Sequence, residues 1–160
     1  MEKRDNWGNP GMLLTWNPKY WSKEQWVPHY DKAVDRTLRD EPVTTTWSVG
    51  QKTEIKRYTE VWLHLQGSGD RGLIGHGLVH SEPFVEEHFF FESQLSHHYA
   101  EIIFVDLWPW EDRIDIEELK VECPSIPWNS IRQSGFSLAP EQADELRKAW
   151  HSTPRPGPSK

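Results

Sequence analysis

Ten of the 160 residues are tryptophan, and any fold open to this chain must find places for ten indoles. Three of them stand in short polar settings rather than in apolar runs: Trp16-Asn17-Pro18, Trp47-Ser48-Val49-Gly50 and Trp128-Asn129-Ser130. A small core rarely needs so many rings of this size. Indoles beside Ser, Asn and Gly suggest a flat-walled pocket that stacks on a planar ligand and reads its edge by hydrogen bonds. A nucleobase is the ligand class this favours. The alternative, for any one of these residues, is a ring that packs the core and satisfies its N–H locally.

The length suits one domain that buries about 70% of its unfolded surface. Cys123 is the single cysteine, so an internal disulfide framework is excluded. It precedes Pro124 and has no local partner, a poor setting for a catalytic thiol. No stretch approaches the roughly 18 apolar residues of a membrane span, and the first residues lead into no apolar signal core. A soluble, cytoplasmic protein without a membrane partner is expected. Net charge is −7 but unevenly placed: residues 1–71 hold 11 Lys/Arg against 10 Asp/Glu, residues 72–160 hold 7 against 15. The total argues against a general nucleic-acid coat. A local basic surface from Lys19, Lys23, Lys52, Lys56, Arg57 and Arg71 would still steer a polyanion.

Along the chain, residues 1–10 read as a loose arm, 11–152 as one domain and 153–160 as a disordered Pro-rich tail. Met12–Trp16 reads as a short buried strand ended by Asn17-Pro18. Ser22 with Gln25 makes a helix-capping pair, and beyond Pro28 a second helix places Tyr30, Val34 and Leu38 on one face. Val61, Leu63 and Leu65 alternate with Trp62, His64 and Gln66, as in a half-buried strand. A turn at Gly67-Ser68-Gly69-Asp70 leads to a paired strand over 72–81. There Gly75 and Gly77 leave room for another backbone, a ring or a ligand to approach. Residues 82–98 read as irregular, Ala100–Leu107 as a buried strand and Asp115–Lys120 as a short capped helix. A final helix starts at Pro140, with Ala143, Leu146 and Trp150 on one face. Strands linked by helices and long loops predict an α+β domain on a small, curved, mainly antiparallel sheet.

Other chemistry is weakly signalled. His76, His80, His88, His97 and His98 cluster in sequence, but His76 and His80 would lie about 13 Å apart on a strand, too far to share one metal. Neither H-E-x-x-H nor C-x-x-C occurs. Glu86-Glu87, Glu111-Asp112 and Glu117-Glu118 read as solvated faces. No G-x-S-x-G elbow is present, and Gly67–Gly72 matches a dinucleotide loop only superficially, lying between strands rather than before a helix. No catalytic residue, metal ligand or cofactor is expected.

Several segments together resemble a known family: Leu13–Lys19, Trp47–Gly50, Gly72–Gly77, Trp128-Asn129 with Ser134-Gly135, and a closing helix ending in Leu146 and Trp150. Their order and spacing across 12–150 are similar to the EVE-like domains of the PUA-like superfamily, some of which are fused to HNH nucleases in restriction and defence systems that act on modified DNA. The resemblance implies a pseudobarrel of mostly antiparallel curved sheet with surrounding helices. It also implies binding of DNA with a modified cytosine, turned out of the duplex into an aromatic cage. On that reading Trp16, Asn17, Trp47, Ser48 and Trp128 line the pocket, with Ser134 and Gly135 at its rim, while Lys19, Lys52, Arg57 and Arg71 hold phosphates. No H-N-H arrangement fits this chain, so any cutting belongs to a separate nuclease subunit. Three alternatives stay open: an RNA-binding module of the same fold, a small-molecule enzyme or sensor using His and Glu, and a partner-binding protein anchored by Trp.

Overall fold

In the computed structural model, the structure describes residues 6–67, 69–85 and 98–158. The expected residues Ser68, Glu86, Glu87, His88 and His97 therefore lie outside the described residues, as do 1–5, 159–160 and most of the stretch read as irregular.

Eight strands form one sheet: β1 (Gly11–Trp16), β2 (Val43–Ser48), β3 (Glu60–Leu65), β4 (Gly72–Val79), β5 (Phe84–Val85), β6 (His98–Leu107), β7 (Ile114–Asp115) and β8 (Phe136–Leu138). Helices α1 (Tyr30–Leu38), α2 (Ile116–Glu122) and α3 (Pro140–Ser152) pack around it. The sheet order is β2-β6-β4-β3-β1-β8, with β5 paired to β6 and β7 to β4. Among the described residues only β1 with β3 is parallel, so the sheet is mainly antiparallel, and it is curved and unclosed.

Local chemistry accounts for most boundaries. Before α1, the Ser22 N–H donates to Gln25 Oε1 at 2.8 Å, the expected capping pair, though it closes only a short 3₁₀ turn, Lys23–Gln25. Helix α1 buries Tyr30, Ala33, Val34, Thr37 and Leu38 on one side. Asp115 caps α2 by accepting the Glu117 N–H at 3.1 Å, and Pro140 opens α3. Strand β2, to which the sequence reading assigns nothing, follows from Val-Thr-Thr-Thr-Trp, a run of β-branched residues that pack well on a pleat.

Strand β3 differs from its expectation. All six of its residues are buried, so both faces of the strand are covered. Trp62 and Glu60 face α3, where Arg147 reaches them. Next to β3, Gly77 serves the close approach its sequence suggested: a Cβ there would stand 2.2 Å from the Ile103 carbonyl oxygen of β6.

The core has two aromatic halves. Trp16, Trp26, Tyr30 and Trp47 cluster with ring centroids 4.9–6.4 Å apart. Beyond the sheet, Trp108 stacks on Trp150 at 3.9 Å. Beside them lies a buried ionic network. Glu60 accepts from Arg147 Nε at 2.7 Å and pairs with His76 Nε2 at 2.6 Å, and Arg147 also donates to Asp144 and to the Asn9 carbonyl.

The terminal segments touch this body. The Gly8 N–H donates to Asp144 at 3.0 Å. Arg155 donates to Asp106 at 2.8 Å and to the Thr37 carbonyl at 2.7 Å. Among the described residues no helix is long and apolar enough to cross a membrane.

Candidate nucleic-acid interface

At one end of the sheet, three connections converge: the β1–α1 loop, the β3–β4 turn and the segment between α2 and β8. They enclose a cleft of about 890 Å³, within the size range of ligand sites. The first connection supplies Asn17, Lys19 and Tyr20, the second Gln66, Asp70 and Arg71, the third Trp128, Asn129 and Arg132, with Trp110 completing the wall.

The backbone fixes this convergence. Gln66 donates its N–H to the Trp16 carbonyl at 2.8 Å and its side-chain amide to the Ile131 carbonyl at 3.2 Å, tying all three connections together. Asn17 turns the chain out of β1 by accepting the Lys19 N–H at 3.0 Å. Lys19 lies over the exposed Tyr20 ring at 5.6 Å, and Lys23 over Trp110 at 4.3 Å. Among the described lining residues the one carboxylate, Asp70, is met by Arg113 at 3.3 Å. Lys19, Arg71 and Arg132 thus line the cleft with its one described opposing charge, Asp70, already paired.

Behind Trp128 sits His64, fully buried on β3 with ring centroids 5.2 Å apart. Burial, with the Arg71 charge acting in the same direction, draws the imidazole pKa down to about 3, so the ring is neutral. Neither ring nitrogen has a hydrogen-bond partner among the described residues.

A second cleft of about 550 Å³ adjoins the first, sharing Ile131 and Arg132 with it. Its floor is a contact between two turns. Gly135 sits at φ +92° and a Cβ on it would stand 2.3 Å from the Val49 carbonyl oxygen, so only glycine lets the 134–135 and 49–50 turns meet.

The three indoles expected to form a cage do not share either of these clefts. Trp16 and Trp47 meet edge-on, but inside the core, where Trp16 donates its ring N–H to the Trp21 carbonyl and Trp47 to the Thr15 carbonyl at 3.0 Å. Neither lines either of these two clefts, and neither does Ser48, whose hydroxyl accepts the Gly50 N–H at 3.2 Å. Large rings gain most by full burial, and Ser48 beside Trp47 shapes the end of its strand.

Trp128 borders the first cleft with its N–H given to the Cys123 carbonyl at 3.1 Å. Asn17, Lys19 and Arg71 reach the same cleft. Ser134, Gly135 and Lys52 belong to the second, where the Ser134 hydroxyl also accepts the Thr15 N–H at 3.0 Å. Arg57 lies over Tyr58 at 5.0 Å and borders neither. Tyr20, Gln66, Trp110, Asn129 and Arg132 were missed. The Trp-Asn-Ser run gave a signal for Asn129 and Arg132, since both lie within four residues of Trp128.

By sequence, the chain matches no family model and no curated protein. By structure it is similar to human THYN1, solved in complex with DNA containing 5-methylcytosine: TM-score 0.56, 12% identity, covering 91% of this chain and 100% of that one. The fold is that of the PUA-like, EVE-type domains. A hypothetical protein from Leishmania major is similar to the same degree, with TM-score 0.57, 14% identity and coverage of 89% and 95%. At these identities the likeness is one of architecture, and it extends over nearly the whole chain.

Proposed function

We propose that this chain is a non-catalytic DNA-binding domain that takes a modified cytosine, turned out of the duplex, into the larger cleft. The observation that carries the reading is the character of that cleft. In a chain of net charge −7, it gathers Lys19, Arg71 and Arg132 around aromatic and amide walls. Low-dielectric walls concentrate the field of such cations and attract a polyanion despite an acidic total. Support comes from human THYN1, which shares the architecture and was solved with 5-methylcytosine DNA.

Energetics set what the cleft must supply. Turning a base out of a duplex costs a few kcal/mol, and one base stacked on an aromatic ring returns about 1–3 kcal/mol. Stacking on the exposed Tyr20 ring therefore offsets extrusion only in part. Phosphate contacts and edge hydrogen bonds from Asn17, Gln66 and Asn129 supply the remainder, and the edge contacts select the base.

The test is fluorescence anisotropy on short duplexes bearing cytosine, 5-methylcytosine or 5-hydroxymethylcytosine at one position, with an RNA of the same sequence alongside. The proposal expects one modified duplex to bind at least about tenfold tighter than the plain one, a difference of roughly 1.4 kcal/mol, with Asn129→Ala removing that preference and Tyr20→Ala weakening binding to the modified duplex. Equal, strongly salt-dependent binding to all duplexes contradicts it. Tighter binding to the RNA than to every duplex reassigns the domain to RNA.

A further inference from the structure

The smaller cleft has no role in holding the extruded base, yet it is built from the same kinds of side chain. Its described lining holds two cations, Lys52 and Arg132, and no carboxylate. Gln133, Ser134 and Ser137 add amide and hydroxyl groups, and Phe136, partly buried on β8, adds an aromatic face. Arg132 and Ile131 are walls of both clefts, so a strand leaving the first passes directly into the second. The floor is held by the glycine contact between the 49–50 and 134–135 turns, which spans β2 and β8, the two ends of the sheet path.

We infer that the smaller cleft is a second nucleotide subsite, which takes the nucleoside next to the extruded base on one side of it. Arg132 then bridges the phosphate between the two nucleotides, Lys52 meets the outer phosphate, and the neighbouring base lies against Phe136 with Gln133 at its edge. This rests on the proposed function, and it adds something that function does not require: a two-nucleotide footprint with a fixed polarity. The domain would prefer a particular neighbour on one side of the modified base and be indifferent to the other.

Competition separates the subsites. A fluorescein-labelled single strand containing 5-methylcytosine is displaced by three unlabelled probes. These are 5-methyl-2′-deoxycytidine 3′,5′-bisphosphate, and the same nucleotide extended by one nucleotide on its 5′ or on its 3′ side. One extension is expected to compete about tenfold better than the bisphosphate, in line with one additional stacked base, and the other less than about twofold better. Gln133→Ala and Phe136→Leu are expected to remove that gain while leaving displacement by the bisphosphate unchanged. Gln133→Ala, at the cleft surface, does this without relying on a change in the strand.

If both extensions compete no better than the bisphosphate, or if the gain persists in both variants, the subsite is refuted and the base-reading cleft stands. If the labelled strand does not bind at all, the base-reading proposal falls and the subsite falls with it.

Discussion

Trp47 gives its ring N–H to the Thr15 carbonyl and packs among Trp16 and Trp26, so its contribution is to the fold. Trp47→Ala is expected to cost about 3–5 kcal/mol of stability, read as a lower urea midpoint. Arg132 is the opposite case: exposed, on the walls of both clefts and outside the core. Arg132→Ala should leave stability within about 0.5 kcal/mol of the parent. It should nonetheless weaken oligonucleotide binding and lower the slope of log affinity against log salt by about one. An unchanged slope removes Arg132 from the phosphate path. Cys123 is inert by the same kind of reasoning. It is fully buried, and burial, reinforced by the charges of Glu145 and Glu122, pushes its thiol up to about 12. A thiol reagent at pH 8 should leave the native protein unlabelled and label it fully in urea.

Two buried elements make stability depend on pH in a defined direction. His64 on β3 is held neutral with a pKa drawn down to about 3, while in the unfolded chain it titrates near 6.5. Below that value the unfolded chain takes up a proton that the native one refuses. Stability is therefore full above pH 6.5 and falls as pH drops toward 3, at up to about 1.4 kcal/mol per unit. His64→Leu should flatten urea midpoints between pH 6.5 and 5. If the variant keeps the parent's slope, His64 is not the group responsible. Glu60 adds to the loss further down. Burial raises its pKa, but the hydrogen bonds and charges of His76 and Arg147 outweigh this and leave it lowered overall. Its contribution is present above the ordinary carboxylate pKa and disappears as pH falls through the lowered one. Because this network joins β3, β4 and α3, Glu60→Gln leaves Arg147 buried with Asp144 as its remaining carboxylate partner, at a cost of about 3–5 kcal/mol. A double change to Glu60→Leu with Arg147→Met should recover much of that loss.

Across the whole molecule, the elements whose signals are local were legible in the sequence. Capping residues and periodicity marked α1, α2 and α3, and the paired glycines marked a strand approached closely by its neighbour. What was not legible depended on contacts distant in sequence. Nothing in Glu60–Leu65 shows that both of its faces will be buried, and nothing near Trp47 shows that Thr15 will take its N–H. Where each indole of the predicted pocket lies depends on such contacts. Trp16 and Trp47 of the predicted wall went into the core, while Asn17, Lys19, Arg71 and Trp128 were joined by Tyr20, Trp110 and Arg132 from connections that converge only in three dimensions. The account as a whole requires that a base leave its stack to enter this cleft. A duplex with 2-aminopurine beside a single 5-methylcytosine reports that event, since the probe brightens when its neighbour unstacks. Saturating protein should raise the emission several-fold on the methylated duplex, with little change on the unmethylated one or with Tyr20→Ala. Saturated binding to the methylated duplex with the probe still dark would contradict the account.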